Sequence, residues 1–198
     1  MLFRSSPSFE ETAVMDFFTT STRNIIKFAA AAGVRHYVAL SVVGTERIPD
    51  SPYLRAKNAQ EGLIKAGGIP YSIVHATQFF EFVKRIADEA TVGTTVRLPP
   101  VLFQPMAADD VAKAVGRVAV GVPVNGTVEV AGPQQFRFDE LIRQGLAAYN
   151  DPRQVVADPH ARYFGAELDE RSLVPWGEAR LGDIRFDEWL GQSALQHR

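Results

Sequence analysis

Three residues of this 198-residue sequence have the types and spacing for proton chemistry: Ser41, Tyr53 and Lys57. A spacing of four puts Tyr53 and Lys57 on one face of a helix, one turn apart. A phenol titrating near 10 is a poor acid–base catalyst at neutral pH. A nearby ammonium favours its phenolate, and a serine hydroxyl can hold a substrate oxygen. Ser, Tyr and Lys so arranged meet the needs of proton relay to a carbonyl during hydride transfer. The Tyr–Lys spacing alone is a weak signal, since five tyrosines and five lysines supply about 0.13 such pairs by chance. Lysine is scarce against sixteen arginines, which makes one at this position less casual. The plain alternative makes Tyr53 a surface aromatic at a helix start and Lys57 a solvated residue. The strand–loop–helix setting favours chemistry.

The elements that must position these residues follow from periodicity. Apolar residues from Phe9 through Phe17, Phe18, Ile25 and Phe28 to Ala32 make a helical stripe about 24 residues long, closed by Gly33. Ser8 followed by Glu11 reads as a capping-box start. Residues 36–41 form a short aromatic and β-branched strand, ending on Ser41. A helix over 51–66 carries Tyr53 and Lys57 and stops at Gly67 and Gly68. A strand over 71–75 and a helix over 78–90 come next. Looser continuations are a strand at 95–98, a helix over 107–120 opened by Asp109 and Asp110, a strand at 127–130 and a helix over 138–148. The tail from Asp151 is aromatic and irregular, with a last helix over 186–193. Alternating strands and helices at this spacing predict βαβ units, hence an α/β fold with a parallel sheet flanked by helices.

Composition limits the functions on offer. The chain is 46% hydrophobic and 22% charged, so a core can be buried and disorder is excluded. A net charge of -2 gives no bulk electrostatic signature of a nucleic-acid or anionic-membrane binder. With no cysteine, disulfides, thiolate metal sites and cysteine nucleophiles are out. No apolar run reaches the length of a membrane span, and the N-terminus lacks a signal-peptide core, so a soluble cytoplasmic protein is expected. His36, His75 and His160 lack metal-ligand spacing, so no metal site is expected. There is no Gly-x-Ser-x-Gly elbow. Asp109 and Asp110 most simply favour a helix N-terminus.

Several stretches together resemble the atypical branch of the short-chain dehydrogenase/reductase superfamily, near the NmrA-like proteins. They are Thr20-Ser21-Thr22-Arg23-Asn24-Ile25-Ile26, Gly33-Val34-Arg35-His36, Ser41-Val42-Val43-Gly44-Thr45 and Tyr53 to Glu61, ending in Lys57-Asn58-Ala59-Gln60-Glu61. To these add Gly68-Ile69-Pro70-Tyr71-Ser72-Ile73-Val74, Ala108-Asp109-Asp110-Val111-Ala112 and Gly126-Thr127-Val128-Glu129-Val130-Ala131-Gly132-Pro133. The resemblance runs from about Ser5 to the C-terminus. It implies a Rossmann-type sheet binding NAD(P), with residues 1–133 in the cofactor domain and 134–198 as a small cap packed on it. It also implies that Lys57 bonds the nicotinamide ribose, Ser41 sits beside the nicotinamide, and Tyr53 donates the proton. Ser6, Ala76, Thr77 and Gln78 would line the cofactor, and Phe79, Phe80 and Phe82 the substrate. His75 stands where many relatives carry an arginine.

Read as residues, Phe79, Phe80, Phe82 and, more remotely, Phe103 suit a flat pocket for an aromatic or quinone-like acceptor, while helix phenylalanines are more often core. None of the 15 glycines forms Gly-x-Gly-x-x-Gly or Gly-x-x-Gly-x-x-Gly, the turn that takes a dinucleotide pyrophosphate. By the family plan the chain starts near the end of the fourth strand, an incomplete Rossmann-type sheet lacking on the order of 60 residues. NAD(P) is then expected to bind weakly or not at all. The expected function is NAD(P)-dependent reduction of a small carbonyl or quinone-like substrate. The alternatives are an NmrA-like nucleotide sensor without catalysis, or an inactive fragment.

Overall fold

The three-dimensional structure is a computed structural model that describes residues 10–196, and side chains to 193. The sequence begins its described part with α1 (Glu11–Ala31), whose N-cap is Glu10; the expected cap Ser8 lies outside the described residues. At its end Gly33 takes φ +67°, and the Gly33 and Val34 N–H groups close on the Ala30 and Ala29 carbonyls, as a glycine past a helix does. The strand β1 (Tyr37–Val42) follows. Ser51 caps α2 (Pro52–Ala66) by accepting from the Leu54 N–H, with Pro52 in the first turn, where its missing N–H costs nothing.

β1, β2 (Tyr71–Ala76) and a later strand β6 (Gly126–Ala131) pair in parallel, and the short β9 (Arg180–Leu181) joins the far edge, in the order β1-β2-β6-β9. Side chains alternate across this sheet. Leu40, Val74, Ala76 and Val130 face α4 (Ala108–Val120), packing on Val111, Ala114, Val115 and Val118. Ser41 and His75 face the opposite way, toward α2, which packs on α1. The result is the expected α/β architecture, helices on both faces of a parallel sheet. Gly132, just beyond β6, allows a close backbone approach: a Cβ there would meet the Pro105 carbonyl oxygen at 1.9 Å.

Three expectations differ in detail. Residues 78–90 do not form one helix. Gln78 and Phe80 exchange backbone bonds with Met106, so the chain stays extended there, turns through a 3₁₀ segment at Phe80–Phe82 and only then forms α3 (Val83–Glu89). The Thr95–Leu98 strand (β4) lies outside the main sheet. It forms a hairpin with β3 (Thr91–Val92) and pairs in parallel with β8 (Gln154–Ala157), a strand in the tail expected to be irregular. β5 (Leu102–Phe103) and β7 (Phe136–Arg137) make a third small pairing, leading into α5 (Phe138–Ala148). The last helix is α6 (Phe186–Gln196). A core of Phe103, Phe138, Leu141, Ile142 and Phe186 joins these pieces.

Asp110 does more than favour a helix N-terminus. It is buried, and its Oδ2 accepts the backbone N–H groups of Asp183 and Ile184 at 2.9 and 2.8 Å, with Lys113 on Oδ1. The tail is thereby fixed beside the sheet.

Candidate active site

Tyr53, Lys57, Glu61 and Lys65 recur every four residues along α2 and so form one stripe on the helix. Glu61 is 1% exposed, and its Oε1 receives two groups from adjacent strands: the Ser41 hydroxyl at 2.5 Å and His75 Nε2 at 2.9 Å. Ser41 and His75 are register partners, so their side chains leave the same face of the sheet together. Lys65 approaches the other carboxylate oxygen at 3.8 Å. Burial pushes the Glu61 carboxyl up, but the bonds from His75 and Ser41 and the charges of His75 and Lys65 outweigh it, holding the carboxyl below its ordinary value. His75 therefore satisfies the acid behind it. Its imidazole also borders a cleft of about 240 Å³ whose lining includes Glu46, Arg47, Glu129 and Trp176.

Lys57 is buried, with its Nζ 3.1 Å from the Leu40 carbonyl oxygen, a second bond to Gln60, and the Phe18 ring centroid 4.9 Å away. Gln60 in turn donates to Thr22 of α1. Tyr37 and Val43 direct their N–H groups to β2, so the alternate residue Leu40 points its carbonyl away from β2, off the edge of the sheet. Among the described residues β1 is the edge strand, and Lys57 covers it, a recurrent use of lysine on edge strands. Desolvation lowers its ammonium to about 8 against the raising effect of Glu61.

Tyr53 has a different environment. Its ring is stacked on Phe164 of the tail, centroids 5.5 Å apart at 27°, and meets the edge of Phe18 at 6.0 Å. Burial pushes its phenol up. The Lys57 ammonium is bonded to Leu40 and Gln60, and burial moves the phenol in the direction opposite to the lowering expected from a neighbouring lysine.

The structure therefore brings Tyr53 and Lys57 to one face of α2, as the spacing predicts, and gives Ser41 to Glu61. Glu61 was not among the expected site residues, although its place one turn beyond Lys57 was a signal in the sequence. Ala76, Thr77 and Gln78 lie where β2 ends. Ala76 is enclosed against α4 and its carbonyl takes the Val43 N–H. Thr77 Oγ1, Gln78 Oε1 and, after β1, Thr45 Oγ1 are buried polar atoms without a hydrogen-bond partner. Buried polar groups are normally paired, so these atoms suit a polar group laid against the strand ends. Ser6 lies outside the described residues. The three-phenylalanine wall is corrected: Phe80 is enclosed, its ring packed against Phe186 and Trp189. Only Phe79 and Phe82, stacked on each other at 5.3 Å, reach the surface there. Phe103 is also interior, stacked on Phe138. His36 bonds Ser72 at the start of the sheet. Among the described residues no cluster of metal-ligating side chains occurs, and no helix is long and apolar enough to cross a membrane.

No family model matches the chain, and no curated protein matches it. Many solved structures do match. The chain superposes with a TM-score of 0.73 on a double mutant of DesIV, a dTDP-glucose 4,6-dehydratase of Streptomyces venezuelae with NAD bound, at 17% identity over 99% of this chain and 71% of that one. It superposes at 0.66 on RMD of Pseudomonas aeruginosa complexed with NADPH, at 15% identity over 99% and 79%. An NADPH-dependent quinone oxidoreductase of Escherichia coli gives 0.65, at 15% identity over 93% and 80%. The chain thus has a Rossmann-like α/β fold, shared with these structures.

Proposed function

We propose that this chain belongs to an NAD(P)-dependent oxidoreductase of the atypical short-chain type, reducing a small carbonyl or quinone-like substrate. The observation that carries the reading is Lys57. It is a buried cation one turn from a tyrosine, placed against the outer edge of β1, and the chain just beyond β1 and β2 carries the partnerless polar atoms of Thr45, Thr77 and Gln78. The solved structures of the same fold with NAD or NADPH support the choice of cofactor.

The residues present fit the nicotinamide end of such a cofactor. When bound, it supplies the hydride. Thr77 and Gln78 would offer a hydroxyl and an amide to its polar groups, and Lys57 would hold its ribose. Tyr53 then delivers the proton to the substrate oxygen. Its high phenol pKa keeps that proton in place at neutral pH, and Lys57 stabilises the phenolate left behind. Ser41 reaches a substrate only by giving up Glu61.

The test is NADPH oxidation by the chain with a panel of quinones and aldehydes. Tyr53→Phe lowers turnover by roughly 10²- to 10⁴-fold if it is the proton donor. Equal turnover in both proteins overturns the assignment.

A second reading, a nucleotide sensor without catalysis, is favoured by one observation: Ser41 is bonded to Glu61 while the Tyr53 ring is covered by Phe164. It predicts NADPH binding, followed by fluorescence, with no turnover of any member of the panel.

A further inference from the structure

The tail turn that covers Tyr53 has an uncommon backbone. Tyr163 and Ala166 exchange both backbone bonds, at 2.9 and 3.2 Å, and the two residues between them have positive φ, +49° at Phe164 and +83° at Gly165. This is a two-residue primed turn, whose first central position normally takes Asn, Asp or Gly. A bulky side chain avoids that left-handed conformation and keeps it only where the surroundings over-determine it. Here the surroundings are two rings: the face of Tyr53, and the edge of Tyr163 at 4.5 Å and 61°. Yet Phe164 is 36% exposed, so it is neither a core residue nor a residue the turn prefers. Its ring is held out from the turn and laid on the residue expected to donate the proton.

Resting on the oxidoreductase reading, we propose that Phe164 is a specificity-determining residue: its ring holds the place over Tyr53 that a planar substrate ring takes, and such a substrate enters by displacing it. Rings 5.5 Å apart leave no room for a third between them, which needs about 3.5 Å on each side. Phe164 must therefore swing away before a substrate ring meets the phenol. Leaving also releases the left-handed backbone, which offsets part of the lost contact. A planar unsaturated ring restores the stacking on Tyr53 that Phe164 gives up. A saturated, puckered carbonyl compound does not, so displacement selects the planar one.

The test uses the full chain as wild type, Phe164→Asn, Phe164→Trp and Phe164→Leu. The first readout is O-acetylation of Tyr53 by N-acetylimidazole, mapped by mass spectrometry, which requires neither cofactor nor turnover. Phe164→Asn suits the turn and removes the ring, so Tyr53 should acetylate about two- to tenfold faster, the range that one aromatic contact commands. Its melting temperature should equal or exceed that of the wild type. Phe164→Trp should acetylate no faster than wild type, and Phe164→Leu should lie between Trp and Asn. In the second readout, 9,10-phenanthrenequinone should protect wild-type Tyr53 while cyclohexanone at the same concentration does not. Equal acetylation in Phe164→Asn and wild type overturns the proposal, as does equal protection by the two ketones or none by either. If Phe164→Asn melts lower and the enclosed Tyr163 becomes reactive, Phe164 is a packing residue and the proposal is likewise overturned. Loss of the oxidoreductase reading would appear separately, as unchanged NADPH turnover in Tyr53→Phe.

Discussion

Lys57→Met isolates the electrostatic cost of the buried ammonium. In the folded chain desolvation lowers Lys57 from 10.5 to about 8. Between those values the unfolded chain still binds the proton that the folded chain has shed, so stability rises with pH across the window from 8 to 10.5. At pH 7 the lysine carries a penalty of about 3 kcal/mol, and by pH 10 about 1 kcal/mol of it is left. Methionine has no such dependence. It also loses the bonds to Leu40 and Gln60, about 1 kcal/mol each, but this loss is nearly constant with pH. Other titrating groups, Tyr53 and Tyr163 among them, act in both proteins and cancel in the difference. The stability of wild type relative to Lys57→Met should therefore improve by about 2 kcal/mol from pH 7 to pH 10. Urea unfolding followed by tryptophan fluorescence measures it, and at about 1–3 kcal/mol per molar urea the relative midpoint should move by about 1 M. A difference that stays flat with pH would refute the reasoning and place Lys57 in a wet environment.

Glu61→Ala takes away the buried acceptor of Ser41 and His75 and should cost about 3 kcal/mol, against about 1 kcal/mol for Ser41→Ala, by denaturant titration at neutral pH. Because the Glu61 carboxyl is held below its ordinary value, its contribution is present above the unfolded carboxyl's pKa and is lost as pH falls through the folded one. The difference between wild type and Glu61→Ala should accordingly shrink in acid, below about pH 4.5. Phe80→Ala should cost about 3–5 kcal/mol as a core truncation, while Phe82→Ala, 44% exposed, should cost about 1 kcal/mol or less. Comparable losses at the two positions would contradict the placement of Phe80 in the interior.

What the sequence determined by itself is what local rules decide. The short aromatic and β-branched run at 36–41 and the helical reading over 51–66 specify their elements, and an unbroken helix necessarily puts Tyr53, Lys57 and Glu61 on one face. The closing turn at Gly33 and the parallel β1-β2-β6 sheet were legible for the same reason: βαβ periodicity leaves few other arrangements. The tertiary structure decided everything that depends on residues distant in the chain. Thr95–Leu98 looks like any other strand, and only its partner Gln154–Ala157 shows that it belongs to a separate sheet. Phe79, Phe80 and Phe82 are alike in composition, yet the pairing of residues 78–80 with Met106 turns Phe80 inward. Ser41 was legible as a strand-end hydroxyl but not as a donor to Glu61, because that bond needs α2 laid across β1 and β2. The covering of Tyr53 is decided by a turn in the tail, where a phenylalanine occupies a backbone conformation that its own preferences oppose. Propensity is local, whereas which side chain a ring rests on is settled by packing of the whole chain.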